Sequence, residues 1–218
     1  MTLNLFFSQH KRLTRSLKKF ITDYESQLEP ETFATFLETL SHEINAAREE
    51  IQKAPAGPPR AKKLQQLVDD EIAQGDNIEV SCKKGCSACC HMEVEITNYE
   101  AEILKSLVQA GHPIDRDRLQ QQSTRAVQDP LWREGVRNAT NRCVFLDKDG
   151  ACGIYENRPV MCRRHSVTSP PENCKTLDKT IVIRYFPKVD LLVSAANEDA
   201  QVQVGPLAKM LELKLSLK

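Results

Sequence analysis

The sequence predicts a mainly α fold with a small β-hairpin: an irregular, metal-stabilised cysteine-cluster domain joined to an N-terminal helical hairpin. Three observations lead there. Apolar residues recur at three- and four-residue steps as far as Ile51, the mark of amphipathic helices. A proline-rich break follows at Ala54-Pro55-Ala56-Gly57-Pro58-Pro59. All eight cysteines then fall between Cys82 and Cys174, and the rest of the 218 residues contain none.

Leu3, Phe6, Phe7, Leu13, Leu17, Phe20, Ile21, Tyr24 and Leu28 form the first apolar stripe, which predicts a helix over about residues 3–27. Pro30 suits the first turn of a second helix, with Phe33, Phe36, Leu37, Leu40, Ile44 and Ile51 on its apolar face. The phenylalanines are expected to be hydrophobic core. These helices make a hairpin over 1–54, and the prolines of 55–60, which lack amide donors, make a linker. Helical spacing resumes from Lys62 to Ala73, leading into a cysteine-cluster domain over 61–180.

The first cysteines are Cys82, Cys86, Cys89 and Cys90, with Gly85 permitting a tight turn between them. Thiols at such short gaps can point into one volume without a large core, a pattern that suits metal ligation. Adjacent Cys89 and Cys90 diverge in an extended chain, so both need not bind one ion. Thr97 and Glu100 have the spacing of a capping box, opening a helix through Ile103, Leu104, Leu107 and Val108 that stops near Gly111. A weaker helix is expected over about 115–127, and Trp132 is placed in the core. Two short apolar runs around Asp147 to Gly150 predict a hairpin in which Leu146 faces Ala151 and Cys143 faces Ile154, leaving Cys152 diagonal to Cys143. The Asp-rich turn lacks the further oxygen ligands of a calcium loop. Pro159 opens a short helix carrying Cys162, and Arg158, Arg163 and Arg164 can offset negative charge on thiolates. Cys174 completes the set. The C-terminal extension, 181–218, is expected to hold a strand at Thr180 to Tyr185, a strand or helix at Val189 to Ala196, and a helix at Pro206 to Leu217.

With 40% hydrophobic and 28% charged residues the chain is ordinary for a soluble globular protein. Lysine plus arginine equals aspartate plus glutamate at 30 each, so no overall charge draws it toward nucleic acid or a membrane. No apolar stretch is long enough for a membrane span. The acid-free residues 1–20 fit a folded helix better than a transit peptide. A cytoplasmic location is expected, where thiols stay reduced and a thiophilic metal would protect them.

Cys82, Cys86, Cys89 and Cys90, then Arg142-Cys143-Val-Phe-Leu, Gly150-Ala-Cys152-Gly-Ile-Tyr155 and Arg158-Pro159-Val-Met-Cys162-Arg163, resemble the cysteine-cluster family named after its CxxCxxCC motif. The first gap is three residues here where the family name has two. The resemblance covers roughly 80–175 and implies chelation of zinc or iron; a related cluster occurs in flagellin lysine methylases. No glycine-rich nucleotide loop accompanies it here.

The metal candidates are Cys82, Cys86, Cys89, Cys90, Cys143, Cys152, Cys162 and Cys174. Eight thiols suit two closed zinc sites, or an iron-sulfur cluster with four to spare. His91 and His165 lie beside Cys90 and Cys162 as alternative ligands, whereas His10, His42 and His112 have no ligand context. No catalytic residue or cofactor loop stands out. The favoured reading is a metal-binding or metal-handling protein; an iron-sulfur redox protein or protein-modifying metalloenzyme, and a zinc-stabilised module docking a protein partner, are the alternatives.

Overall fold

The computed structural model describes residues 1–75, 78–83, 85–176 and 178–217. The chain is mainly helical, with one small antiparallel sheet among the described residues. It divides into two units: Met1–Gln74 with Phe186–Gln203, and Gly75–Tyr185 with Val204–Lys218.

In the first unit, the stripe expected to be one long helix is two: α1 at Leu3–Gln9 and α2 at Arg15–Glu25. The break lies at a threonine. Thr14 is extended and its hydroxyl oxygen accepts from the Leu17 amide at 3.1 Å, capping α2. Its own amide donates to Ser194 Oγ at 3.0 Å and its hydroxyl donates to Asp190 Oδ1 at 2.9 Å. Polar partners from a distant segment thus override a periodicity that reads as continuous. Helix α3 is Pro30–Gln52, with Pro30 in its first turn, and α4 is Pro58–Gln74. Pro187–Asn197, left open between strand and helix by the sequence, is helical; it is numbered α8 after the intervening elements and packs on α2, α3 and α4. Phe6, Leu17, Ile21, Leu37, Ile44, Ile51 and Val68 are fully buried here. Of the phenylalanines expected in the core, Phe6 and Phe33 are buried, whereas Phe7, Phe20 and Phe36 are half-buried at its edge, where Phe33 and Tyr24 both stack on Phe36.

The second unit carries every cysteine. Strand β1, Glu95–Thr97, leads into α5, Asn98–Gln109, whose capping box is complete. Gly111 follows at positive φ, as a helix stop requires. Helix α6, Arg116–Ser123, is shorter than expected and ends well before Asp129-Pro130. Helix α7 is Val160–Arg164. After α8, strand β2, Val204–Pro206, pairs with β1, with Ile96 opposite Gly205, and α9 is Leu207–Ser216. Ile96, Leu104, Leu119, Phe145, Ile154 and Leu211 centre a core formed by α5, α6, α9 and the 144–154 loop.

The strands of the sheet are therefore not those expected around Asp147. There, Leu146 bridges Cys152 instead of Ala151, a shift of one residue, and the pairing extends no further than that isolated bridge. Asp147 is the cause: its Oδ1 accepts from the amides of Asp149 at 3.0 Å and Ala151 at 2.7 Å, closing a wider turn that Gly150 completes at positive φ. Thr180 to Tyr185 likewise contributes only one bridge, Val167 to Ile183. Trp132 is half-buried, with the Arg125 guanidinium 4.5 Å over its ring, so it borders the core.

Candidate metal centre

All eight cysteines are free thiols, and all are half-buried. The first segment is folded by a turn in which the Cys86 amide donates to the Lys83 carbonyl at 2.9 Å and Gly85 takes a φ of 87°. A short 3-10 helix, Ala88–His91, then presents Cys89 and Cys90. At three residues per turn, neighbours on such a helix point about 120° apart. The Cys90 carbonyl accepts the Cys143 amide at 2.7 Å, joining the first segment to the second.

Cys143 and Cys152 pack against the apolar core of the unit. Cys162 sits on α7, whose first amide, from Val160, donates to Glu100 Oε1 at 2.8 Å. Glu100 Oε2 meanwhile accepts from the amide of Thr97 at 2.9 Å. One buried carboxylate thus caps α5 and fixes the helix that carries Cys162. The sequence reveals the capping box; the reach to Val160, 60 residues away, leaves no local signal. Cys174 lies in the turn Pro171–Lys175, which packs against Ala88–His91.

Val167 is a backbone anchor that the sequence does not suggest. Its carbonyl accepts from the Ser81 amide at 2.8 Å, and its amide donates to Cys82 Sγ at 3.4 Å. An amide donor at a thiol sulfur favours the thiolate.

Burial dominates the electrostatics of the thiols. It pushes Cys82 up, against the Val167 amide, and the charges of Cys86 and Cys89 push the same way. Burial raises Cys143 to about 11, with the Phe145 amide opposing and Cys152 adding to it. Cys162 lies well above the ordinary thiol range through burial and then the charges of Cys143, Cys89 and Cys152. Cys152 and Cys174 are raised for the same first reason. Cys89 and Cys90 hydrogen-bond to one another, so the Cys89 thiol ionises more readily while Cys90 holds its proton. Eight thiolates in this volume repel one another unless a cation lies among them.

Arg158 supplies part of that positive charge, which reaches Cys82, Cys89, Cys152 and Cys162. Its guanidinium lies 3.7 Å over the Tyr155 ring and its Nε donates to the Tyr155 carbonyl at 3.1 Å. Arg163 Nε donates to the Arg158 carbonyl at 2.7 Å, so it braces the loop. Arg164 lies near His165, whose pKa is lowered by burial first and then by that charge. His91 Nδ1 lies 3.0 Å from the Ser87 carbonyl.

Among the described residues, no three side chains of His, Cys, Asp or Glu stand at the spacing of ligands on one ion. The thiols feel one another's charge, and the donor set suits a thiophilic metal: sulfur only, reduced and half-buried.

Residues 81–186 match a family model described as "Putative zinc- or iron-chelating domain", CxxCxxCC. This segment is similar to the CxxCxxCC family. The matched span includes all eight thiols, Glu100, Arg158 and Val167, and the family description supports metal binding. No curated protein and no solved structure matches the chain. Among the described residues, no helix is long and apolar enough to cross a membrane.

Proposed function

We propose that the cysteine-bearing segment binds zinc or iron through thiols drawn from Cys82, Cys86, Cys89, Cys90, Cys143, Cys152, Cys162 and Cys174, and that the metal orders the stretches carrying them. The observation that carries this reading is the contrast between the thiols and their support. From Cys143 to Lys175 the backbone has only short turns, the five-residue α7 and isolated bridges, yet it holds its thiols half-buried, and burial disfavours their ionised forms. Val144, Phe145 and Ile154 anchor part of this segment on the apolar core, and beyond them regular structure gives the loops little support. Binding energy at thiolate ligands would serve as folding energy here, as in other small metal-bound domains.

Hydrogen exchange on the full chain, purified without oxygen, tests this. Removing the metal with a chelator is expected to speed amide exchange in 81–90 and 143–175 by at least about tenfold, roughly 1.4 kcal/mol of lost protection. Helices α2, α3 and α8 should keep theirs. Unchanged exchange in the cysteine segments after complete metal removal would show that the metal does not order them.

A further inference from the structure

Val167 is the middle of a small ladder. On one side its carbonyl takes the Ser81 amide; on the other it bridges Ile183 in antiparallel register. There the Thr168 amide donates to the Val182 carbonyl and the Arg184 amide to the Ser166 carbonyl, both at 2.9 Å, and the Val182 amide donates to Ser169 Oγ at 3.1 Å. Residues 181–185 form the outer edge of this ladder.

Along an antiparallel ladder the amide and carbonyl of one residue point to the same side, and those of the next residue to the other. Val182 and Arg184 turn theirs inward. Ile181 and Ile183 turn theirs outward, and among the described residues neither makes a hydrogen bond. Side chains alternate between the two faces, so cover on either face would hide Val182 or both isoleucines. None is hidden: Ile181 is 39% exposed, and Val182 and Ile183 are each 53% exposed. Exposed Tyr185 extends the run, whereas Val167 behind it is buried. Single exposed apolar residues are ordinary, but a run of them along an open main-chain edge is the template on which an extended peptide adds as a further strand.

Charge selects the peptide. The stretch Lys179 to Tyr185 carries Lys179 and Arg184, the neighbouring stretch Arg158 to Pro171 carries Arg158, Arg163 and Arg164, and neither contains an acid. Glu79 and Lys83 lie on the far segment, beyond Val167. Two copies of this chain paired edge to edge would set like charges against one another, and so short a strand covers much less than the roughly 1,000 Å² of a stable interface.

The geometry points to 181–185 as a docking edge for an extended segment of a partner protein in which apolar and acidic residues alternate. On the added strand, residues sharing the face of Ile181, Ile183 and Tyr185 are apolar, and those sharing the face of Arg184 are acidic. Its main chain exchanges hydrogen bonds with Ile181 and Ile183. This goes beyond metal binding and does not depend on which ion is held.

The test uses the full chain, purified without oxygen, with a capped peptide of alternating valine and glutamate; a control peptide carries lysine in place of glutamate. Amide exchange is followed residue by residue by NMR. The glutamate peptide is expected to slow exchange at Ile181 and Ile183 by at least about tenfold, to leave the already bonded Thr168 and Arg184 amides little changed, and to bind more weakly as salt rises. Ile183→Pro removes an outward amide and no ladder bond, so it should abolish binding while Thr168 and Arg184 keep their exchange rates. The map on the parent chain decides the matter even if that variant fails to fold. No binding, or protection elsewhere than at Ile181 and Ile183, would overturn the docking edge. Equal binding of the lysine peptide would overturn the acidic partner. Protection of Ile181 and Ile183 that grows with protein concentration alone would overturn it in favour of a second copy of this chain.

Discussion

Gly153 sets the tightest tolerance beside the thiols. A Cβ there would lie 3.0 Å from His112 Nε2 and 3.1 Å from the Phe145 carbonyl oxygen, the oxygen that accepts the Gly153 amide. The imidazole can swing away, but the carbonyl cannot yield without losing that bond. Gly153→Ala should therefore cost about 1–3 kcal/mol in a denaturant titration and should weaken metal retention through Cys152. Gly85→Ala meets nothing within 4 Å and should cost only the roughly 1 kcal/mol of its positive φ. Equal stability of Gly153→Ala and the parent chain would refute the tight contact. Gly85 is legible in the sequence because it stands between short-spaced cysteines. Gly153 is not, because the atoms crowding it come from His112 and Phe145, and close backbone approach has no local signature. The same holds for Arg158, whose aromatic seat on Tyr155 depends on the fold of the intervening loop.

Helix termini explain where the elements depart from their periodicity. The capping box at Thr97 and Glu100 was readable and is present; the split of the first stripe into α1 and α2 was not, because the partners of Thr14 lie on α8. The turn at Asp147 likewise follows from side-chain acceptance by one aspartate, which moves the Leu146 pairing by one residue. Glu100 offers a test at this scale. Burial pushes its carboxyl above the usual carboxylate range, while donors from Thr97 and Val160 pull part of the way back. The folded chain then holds this proton more tightly than the unfolded chain. Its contribution to stability is full below about pH 4.3 and is lost as pH rises through the raised value. Glu100→Gln stays neutral, so the stability of the parent relative to this variant should fall as pH rises through that window, as read by denaturant titrations across the acid range. An identical pH slope in both chains would contradict this. Glu100→Ala, which leaves the Thr97 and Val160 amides without their acceptor, should cost about 1–3 kcal/mol.

At the scale of the molecule, the sequence places all the thiols in one stretch and the long apolar stripes in another, and the two units keep that separation: the first contains no cysteine. Fold class was legible because helical periodicity and short cysteine gaps are local signals. The membership of α8 in the first unit was not, since it depends on a helix returning after the whole cysteine-bearing segment to pack on α2, α3 and α4. The central claim is that these thiols hold metal in the native protein. Its most direct test is metal and acid-labile sulfide analysis of the full chain purified without oxygen, alongside a count of reactive thiols. The account predicts tightly bound zinc or iron and thiols that resist modification until the metal is removed; iron with matching sulfide would further identify a cluster. Metal-free protein with all eight thiols freely reactive would contradict it.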